Sequence, residues 1–164
     1  MLDDQKTPYD RRIQIGGMIE VPAAALSLPY FLKKLDFLSI GTNDLVQFMF
    51  ACDRGNPRLA NRYDPVSPPV LRLLADVVAA ATAHGVPLAL CGEMAGQPLD
   101  ALALVGIGLR NLSMAPASIG PVKAMIRTVR LGAPQEFIVS ASAHSTHSLR
   151  SKLRDFARDH DILV

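Results

Sequence analysis

The sequence predicts an α/β fold in which parallel strands alternate with helices. Short apolar segments end at polar residues or glycines, and each is followed by a stretch with helical periodicity. Four such units follow one another at intervals of roughly 30–35 residues, a spacing typical of strand–helix units joined by right-handed crossovers. Hydrophobic residues make up 49% of the 164 residues and charged residues 20%, which indicates a folded domain with a sizeable core.

The first two units occupy the segment before the first long loop. A strand is predicted over residues 13–19, and a helix over 22–35 follows, because the proline at position 22 fits the first turn of a helix. The second strand covers residues 37–40. The Gly-Thr-Asn-Asp sequence after it is predicted to be a loop at 41–44, and residues 45–51 favour a short helix.

Residues 53–69 form a long irregular segment with four prolines and one glycine, and loops of this length tend to be functional. The apolar stripe from Val70 to Ala81 predicts a helix that ends at Gly85. A loop is predicted over residues 138–147, which are rich in serine, alanine and histidine. The remaining elements are predicted as strands over 86–90 and 111–114 and as helices over 99–105, 121–131 and 149–159.

Four units leave two architectures open. A complete TIM (β/α)8 barrel needs about 250 residues, so the chain is either a small open sheet or half of such a barrel. We expect residues 1–11 to be a linker, residues 12–132 to hold the four β/α units, and residues 133–164 to form a tail with a terminal helix. The two exposed strand edges of an isolated half barrel predict self-association of the chain.

The composition argues against several kinds of partner. The formal net charge is +2, from 17 basic and 15 acidic residues, and tryptophan is absent, so we expect no binding to nucleic acid. The apolar runs are far shorter than the roughly 20 residues that span a bilayer, and the N-terminal residues lack the apolar core of a signal peptide. Cys52 and Cys91 show no metal-ligand spacing. These features predict a reduced, cytoplasmic protein without membrane contact.

Two carboxylates follow neighbouring predicted strands, Glu20 after the first and Asp44 after the second. Because the carboxyl ends of parallel strands meet at one edge of the sheet, both groups are expected there. One or two carboxylates suit Mg²⁺, which completes its octahedron with water and substrate phosphate. A pair of solvated loop acids is the alternative, and the position of both acids at strand ends favours the metal site.

Two nitrogen-bearing side chains near Asp44 suit a phosphate group. Asn43 can donate its amide to a phosphate oxygen, although a turn residue is an equally good interpretation. Arg54 carries a planar fork that pairs with phosphate or carboxylate. A solvated surface arginine is favoured instead unless the irregular loop folds inward. Arg58 and Arg62 share that loop and carry less weight.

Cys91 ends the third predicted strand and opens the loop Cys-Gly-Glu-Met-Ala-Gly. Buried cysteines are usually inert, whereas a thiol at a strand end can act as a nucleophile or a proton donor. An ordinary thiol pKa of about 8.5 leaves the group protonated at neutral pH, which suits proton donation. Glu93 is placed to tune the thiol or to hold the loop. The histidines are predicted to be solvated, namely His84, His144, His147 and His160.

Four segments together resemble a known family. They are Gly-Met-Ile-Glu-Val-Pro-Ala-Ala at 17–24, Ser-Ile-Gly-Thr-Asn-Asp-Leu at 39–45, Ala-Cys-Asp-Arg-Gly-Asn at 51–56 and Leu-Cys-Gly-Glu-Met-Ala-Gly at 90–96. In order and spacing they are similar to the C-terminal phosphoenolpyruvate (PEP)-binding domain of Enzyme I of the bacterial sugar phosphotransferase system. The resemblance extends from about residue 13 to residue 132, and residues 53–57 and 119–125 are most similar to the nitrogen-system paralogue.

This resemblance implies a TIM barrel, of which the chain holds the last four β/α units followed by a C-terminal helix. It also implies a role for each candidate residue. Glu20 and Asp44 are expected to bind Mg²⁺, with Asp44 at the substrate as well. Asn43 and Arg54 are expected to contact the phosphate of PEP, and Cys91 to protonate the enolpyruvate carbon.

The implied activity is Mg²⁺-dependent transfer of the phosphoryl group of PEP to a histidine in another domain. From there the group passes to an HPr-like phosphocarrier protein, with release of pyruvate. Such enzymes serve sugar transport or nitrogen regulation, and a homodimer is expected. No histidine here matches the phosphorylated one, so the chain alone is expected to be inactive. A PEP synthase or pyruvate phosphate dikinase, or a non-catalytic regulatory or oligomerisation module, is the alternative.

Overall fold

The computed structural model describes residues 4–56, 58–59, 63–143 and 148–164. Within these residues four strands and eight α-helices alternate. The strands are β1 (Gly16–Ile19), β2 (Phe37–Gly41), β3 (Leu88–Cys91) and β4 (Leu112–Ser113). The helices are α1 (Pro22–Leu26), α2 (Leu28–Phe31), α3 (Thr42–Met49), α4 (Pro68–Ala83), α5 (Pro98–Gly106), α6 (Pro116–Thr128), α7 (Ala133–Ala143) and α8 (Arg150–Asp159).

The four strands form one parallel sheet whose spatial order, β1-β2-β3-β4, is also their order along the chain. The register places Ile19 opposite Ile40, Gly41 opposite Cys91, and Cys91 opposite Ser113. The carboxyl ends of all four strands therefore lie side by side along one edge, which we call the rim. This confirms the predicted α/β class with a parallel sheet, an arrangement compatible with part of an α/β barrel.

One face of the sheet carries the core. Leu38 and Ile40 of β2 are fully buried against the helices, as are Ile19 and Leu90 of the neighbouring strands. Successive residues of a strand point to opposite faces, so the residues between them face the other way. On that side Met18 is 47% exposed and Phe37 42%. The sheet is thus covered on one side, and its other side is an open face that carries the polar groups described below.

The helix α4 follows the predicted pattern closely. Proline at its first position suits a helix start, and the buried side chains recur at helical spacing on the side that meets the core. The helix is followed by Gly85, whose φ of +67° few other residues adopt at low cost. The buried residues of this stripe are Val70, Leu71, Leu74, Val77 and Ala81.

The first unit is less regular than predicted. The strand begins at Gly16 rather than at residue 13, and Ile13 and Ile15 are exposed. The long helix expected over 22–35 is interrupted at Ser27, and Pro29 in the following turn cannot donate the backbone hydrogen bond that would continue it. The chain instead forms two short helices and a turn of 3₁₀-helix (Leu32–Lys34).

Two helices begin earlier than predicted. The α3 helix starts at Thr42, so the residues expected in a loop form its first turn, where the carboxylate of Asp44 is favoured by the positive end of the helix dipole. The α6 helix starts at Pro116 and continues through Pro121, although proline cannot donate a backbone hydrogen bond inside a helix. In the loop after β3, Glu93–Gly96 form a 3₁₀ turn.

The segment expected to be a loop at 138–147 is helical up to Ala143 in the structure, and residues 144–147 lie outside the described part. Helix α7 packs against α5, with Ile138 and Ala141 buried in the common core. Gly106 at the end of α5 permits this approach, since a Cβ there would lie 3.1 Å from the Pro134 carbonyl oxygen. Burial against α5 thus overrides a composition that favours a loop. Among the described residues, no helix combines the length and apolar character needed to cross a bilayer.

Candidate functional site

Cys91 lies at the rim beside two groups of β2. Its Sγ is 3.5 Å from the carbonyl oxygen of Ile40, to which the thiol donates, and 3.8 Å from the Ser39 hydroxyl, which donates to the sulfur. A carbonyl oxygen can only accept, so this contact suits the S–H form of the thiol. The residue is partly buried on the open face of the sheet. This environment suits a proton donor with access to a ligand.

The main chain around Cys91 is held from β2 and α3. The Thr42 hydroxyl donates to the Cys91 carbonyl oxygen over 3.0 Å, and Thr42 is only 1% exposed. The next residue, Gly92, has a φ of +121°, and a Cβ built on it would lie 2.3 Å from Thr42 Oγ1. Both the backbone conformation and the close contact therefore require glycine at this position.

Asn43 connects the same two strand ends through its side chain. Its Oδ1 accepts a hydrogen bond from the Glu93 backbone N–H over 3.1 Å. An N–H group can only donate, so the bond assigns the oxygen of the amide to Glu93 and leaves the Nδ2 group as a donor on the other side. Asn43 is thus oriented as a hydrogen-bond donor at the rim.

Arg54 is brought to the rim by the irregular loop. Its Nη1 lies 3.4 Å from Glu93 Oε1, and its backbone N–H donates to the Gln47 side chain over 3.2 Å. The side chains of Arg54 and Glu93 are 52% and 83% exposed, so the ion pair is a weak surface contact. The irregular loop thus brings Arg54 to Glu93 at the surface, and the guanidinium can exchange Glu93 for another anion.

The two predicted metal ligands sit at the edge of this group. Glu20 follows β1 and leans over the end of β2, because its Oε2 lies 3.3 Å from where a Cβ on Gly41 would be. Asp44 is half-buried in the first turn of α3. Within the described residues neither carboxylate has an ion-pair partner, and no group of three or more potential metal-ligating side chains occurs. The hard oxygen donors present fit Mg²⁺.

A cavity of ≈ 510 Å³ joins several of these groups. Asn43, Cys91 and Glu93 line one part of it, and Ser113 and Ser118 line the wall formed by β4 and α6. Glu20, Asp44 and Arg54 are not among its lining residues. The structure therefore brings Asn43 and Cys91 into one cavity, links Arg54 to them through Glu93, and leaves the two carboxylates beside it.

The sequence interpretation missed Thr42 and Ser39, which contact Cys91 directly. The strand pattern contains a signal for Ser39, because it shares a face with Gly41 while Leu38 and Ile40 point to the core. No local signal identifies Thr42, since its partner Cys91 lies 49 positions further along the chain.

The remaining candidates lie away from the rim or outside the described residues. Arg58 is exposed, and His84 and His160 each bond to a carbonyl oxygen of their own helix. His84 and His160 are exposed, as predicted. Arg62, His144 and His147 lie outside the part of the chain that the structure describes.

Residues 1–131 of the chain match the model of one protein family. That family is described as PEP-utilising enzyme, PEP-binding domain. The match includes all four strands and helices α1 to α6, together with every candidate residue at the rim. Helices α7 and α8 lie beyond it.

Individual relatives carry related names. A phosphoenolpyruvate-protein phosphotransferase of Cupriavidus necator is 50% identical over 125 residues, which is 76% of this chain and 21% of the relative. The phosphoenolpyruvate-dependent phosphotransferase system protein of Escherichia coli is 47% identical over 116 residues, covering 71% of this chain and 16% of the relative. A phosphoenolpyruvate-protein phosphotransferase of Borreliella burgdorferi is 42% identical over 126 residues, which is 77% of this chain and 22% of the relative. The chain thus spans about a fifth of these relatives.

Proposed function

The chain belongs to the PEP-utilising enzymes through their PEP-binding domain, and we propose that it forms part of a PEP–protein phosphotransferase of the Enzyme I type. In this proposal the rim binds PEP together with Mg²⁺. The phosphoryl group passes to a histidine in another domain and then to an HPr-like phosphocarrier protein, and pyruvate is released. The names of relatives that align with most of this chain support the reaction class.

The orientation of Asn43 is the observation that carries this proposal. Glu93 fixes the amide oxygen, so the Nδ2 group is left as a donor, and Asn43 lines the same cavity as Cys91. A phosphate oxygen accepts from such a donor, and a proton donor is needed at the other end of PEP, where pyruvate forms. The two ends of one small substrate thus find complementary groups in one cavity.

Arg54 supplies the positive charge for the phosphate. Its contact with Glu93 is exposed and weak, and a phosphate with two or more anionic oxygens competes well for a planar guanidinium. Transfer to the protein nucleophile leaves the enolate of pyruvate. Cys91 then gives its proton to the enolate carbon, so that the S–H bond breaks as the C–H bond forms, and the thiolate recovers a proton from water.

Glu20 and Asp44 are the residues that would hold Mg²⁺ in this proposal. When bound there, the ion would neutralise charge on the phosphate and on the developing enolate oxygen. Both carboxylates follow strands at the rim and have no ion-pair partner among the described residues. They are therefore available as ligands without the loss of an existing contact.

The rest of the active site is proposed to belong to a larger assembly. We propose that the four strands are half of a TIM barrel in a cytoplasmic homodimer of the nitrogen-system branch. The phosphorylated histidine is then absent from this chain, and we expect the isolated chain to release no pyruvate from PEP when a phosphocarrier is added. Turnover by the isolated chain, measured with a coupled pyruvate assay, would contradict this part of the proposal.

Ligand binding tests the site itself. Titration calorimetry with PEP and Mg²⁺ is expected to show saturable binding that requires the metal. Replacing Arg54 by glutamine removes a charge-assisted contact and is expected to weaken binding about tenfold. The matched control is Arg58→Gln, an exposed arginine of the same loop, which is expected to bind like the original chain. Equal affinity of the two variants would remove Arg54 from the site.

A further inference from the structure

The Thr42 side chain makes an unusual choice of partner. At the first position of α3, a threonine hydroxyl commonly bonds within its own helix end. In this structure it crosses to β3 and donates to the Cys91 carbonyl oxygen, and the side chain is buried. This buried hydroxyl therefore fixes the position of one carbonyl group on the neighbouring strand.

The surrounding chain is built around this contact. Gly92 leaves room for the hydroxyl, because a Cβ there would lie 2.3 Å from Thr42 Oγ1. The neighbouring Asn43 accepts from the N–H of Glu93. The first turn of α3 therefore holds both ends of the Cys91–Glu93 turn, Thr42 at the first residue and Asn43 at the third.

The hydrogen bond fixes the direction of the thiol. The carbonyl of Cys91 and its Cα–Cβ bond belong to the same residue, so a fixed carbonyl leaves the side chain with one main freedom, rotation about χ1. The sulfur then rests 3.5 Å from the Ile40 carbonyl oxygen. Without Thr42, the carbonyl would lose the hydrogen bond that holds it from α3, and a shift of the main chain at Cys91 would move the thiol.

We propose that Thr42 is a positioning residue for Cys91. It holds the main chain so that the thiol stays at the Ile40 carbonyl oxygen, in the cavity wall that Cys91 lines. The proposal rests on the proposed function insofar as Cys91 is the proton donor, but the contact itself can be tested without substrate. Thr42 does not touch the substrate in this view and acts only through Cys91 and the turn that follows.

Thiol alkylation measures the position of Cys91 directly. In a Cys52→Ala background, the second-order rate of reaction with iodoacetamide is followed by mass spectrometry from pH 6 to pH 9. Thr42→Val keeps the shape of the side chain and removes the hydroxyl. We expect the alkylation rate of Thr42→Val to be about fivefold higher. Loss of one hydrogen bond changes the equilibrium for local opening around Cys91 by about this factor. Thr42→Ser retains the hydroxyl and is expected to restore the original rate and pH profile.

The matched control is Thr128→Val. The Thr128 hydroxyl donates to the Met125 carbonyl oxygen over 2.8 Å and accepts from the Leu163 N–H, at the C-terminal end of α6. This variant loses two hydrogen bonds outside the rim, so it reports the effect of general destabilisation on the alkylation rate. A Thr42→Val rate equal to that of the original chain, or matched by Thr128→Val, would overturn the proposal.

A second arm separates this proposal from the proposed function. Alkylation of the original chain is repeated with PEP and Mg²⁺, which are expected to protect Cys91. Absence of protection counts against the PEP site and leaves the Thr42 result unaffected. Protection combined with an unchanged rate in Thr42→Val counts against the positioning role alone.

Discussion

Single residues at the rim are constrained by both conformation and contact. Gly92 illustrates this most clearly, because its φ of +121° and its distance to Thr42 each exclude a larger side chain. Asn43 is constrained by contact alone, since the hydrogen bond from Glu93 fixes which end of its amide faces the turn after β3. The chemistry of the rim thus depends on residues that look interchangeable with other turn residues in the sequence alone.

Replacing Gly92 by alanine is expected to destabilise the fold by about 3 kcal/mol, because backbone strain adds to a contact with the Thr42 hydroxyl. Gly85→Ala is the matched control, since Gly85 also has positive φ, at +67°, but has no atom within 4 Å of the added Cβ. The Gly85→Ala variant is expected to lose only about 1 kcal/mol of the free energy of unfolding. Chemical denaturation measures both values, and equal losses would show that the Thr42 contact adds nothing.

At the level of elements, α7 shows how packing decides structure. Its sequence, rich in alanine and serine, has weak helical periodicity, yet Ile138 and Ala141 are buried against α5. Small residues allow the two helices to approach closely, and Gly106 lies at the point of contact with Pro134 and Ile138. The helix therefore depends on its neighbour more than on its own propensities.

The contact at Gly106 can be tested by substitution. A Cβ there would lie 3.0 Å from Ile138 Cγ1 and 3.1 Å from the Pro134 carbonyl oxygen, and a backbone atom cannot move aside easily. We expect Gly106→Ala to lower the free energy of unfolding by about 2 kcal/mol through overpacking. Gly120→Ala, at a helical glycine in open space, is expected to change it by less than about 0.5 kcal/mol, because the gain in helix propensity is offset by the contact of a Cβ with the ring of Pro121. Equal shifts in thermal unfolding for both variants would contradict this explanation.

At the level of the whole molecule, a partly buried ionic cluster joins three distant segments. Arg150 at the start of α8 makes two hydrogen bonds to Asp100 of α5, at 2.6 and 3.0 Å, and lies 2.8 Å from Asp64 in the loop before α4. The Ser148 hydroxyl donates to the same Asp64 carboxylate. Alongside, the Leu149 N–H donates to the Val66 carbonyl oxygen. The C-terminal segment is thus fastened to the domain and is part of its core.

Breaking this cluster is expected to be costly. Arg150→Met leaves the Asp100 carboxylate, which is 3% exposed, without its cation, and we expect a loss of about 3 kcal/mol in the free energy of unfolding. Arg158 of the same helix pairs with Asp155 at the surface, so Arg158→Met is the control and is expected to change stability by less than about 0.5 kcal/mol. Denaturant titration distinguishes the two, and similar small losses would show that the cluster contributes little.

The cluster also predicts a pH dependence. Burial raises the pKa of the Asp100 carboxyl above its ordinary value of 3.8, although the hydrogen bond and charge of Arg150 act to lower the pKa. The pKa of this carboxyl is thus higher in the folded state than in the unfolded state. Its contribution to the free energy of unfolding is fully present below pH 3.8. This contribution is lost as the pH rises through the folded-state pKa.

Asp100→Asn removes this titration and isolates its effect. The difference in free energy of unfolding, original chain minus variant, is expected to fall as the pH rises from 3.8, because only the original chain loses the contribution of the bound proton. Carboxylates outside the Arg150 cluster titrate equally in both proteins and cancel in the difference. Denaturation curves at several pH values measure it, and a difference that rises with pH would reverse the inferred sign.

The sequence by itself determined much of the fold and the location of the candidate site. Apolar runs and helical stripes gave β2, α4, α5 and α8 close to their observed bounds, because these patterns depend on residues a few positions apart. The strand ends also indicated where the polar groups would gather, since parallel strands align their carboxyl ends. Asn43 and Cys91 were found in this way, and they share one cavity.

Only the tertiary structure decided how those groups are held. The bond from Thr42 to Cys91 joins residues 49 positions apart, and Arg150 meets Asp100 across 50 positions. Local patterns carry no information about such pairs, which arise from strand register and helix packing. The contact of Arg54 with Glu93, the amide orientation of Asn43 and the helical state of α7 have the same origin. In each case the deciding energy comes from contacts between segments that are distant in the chain.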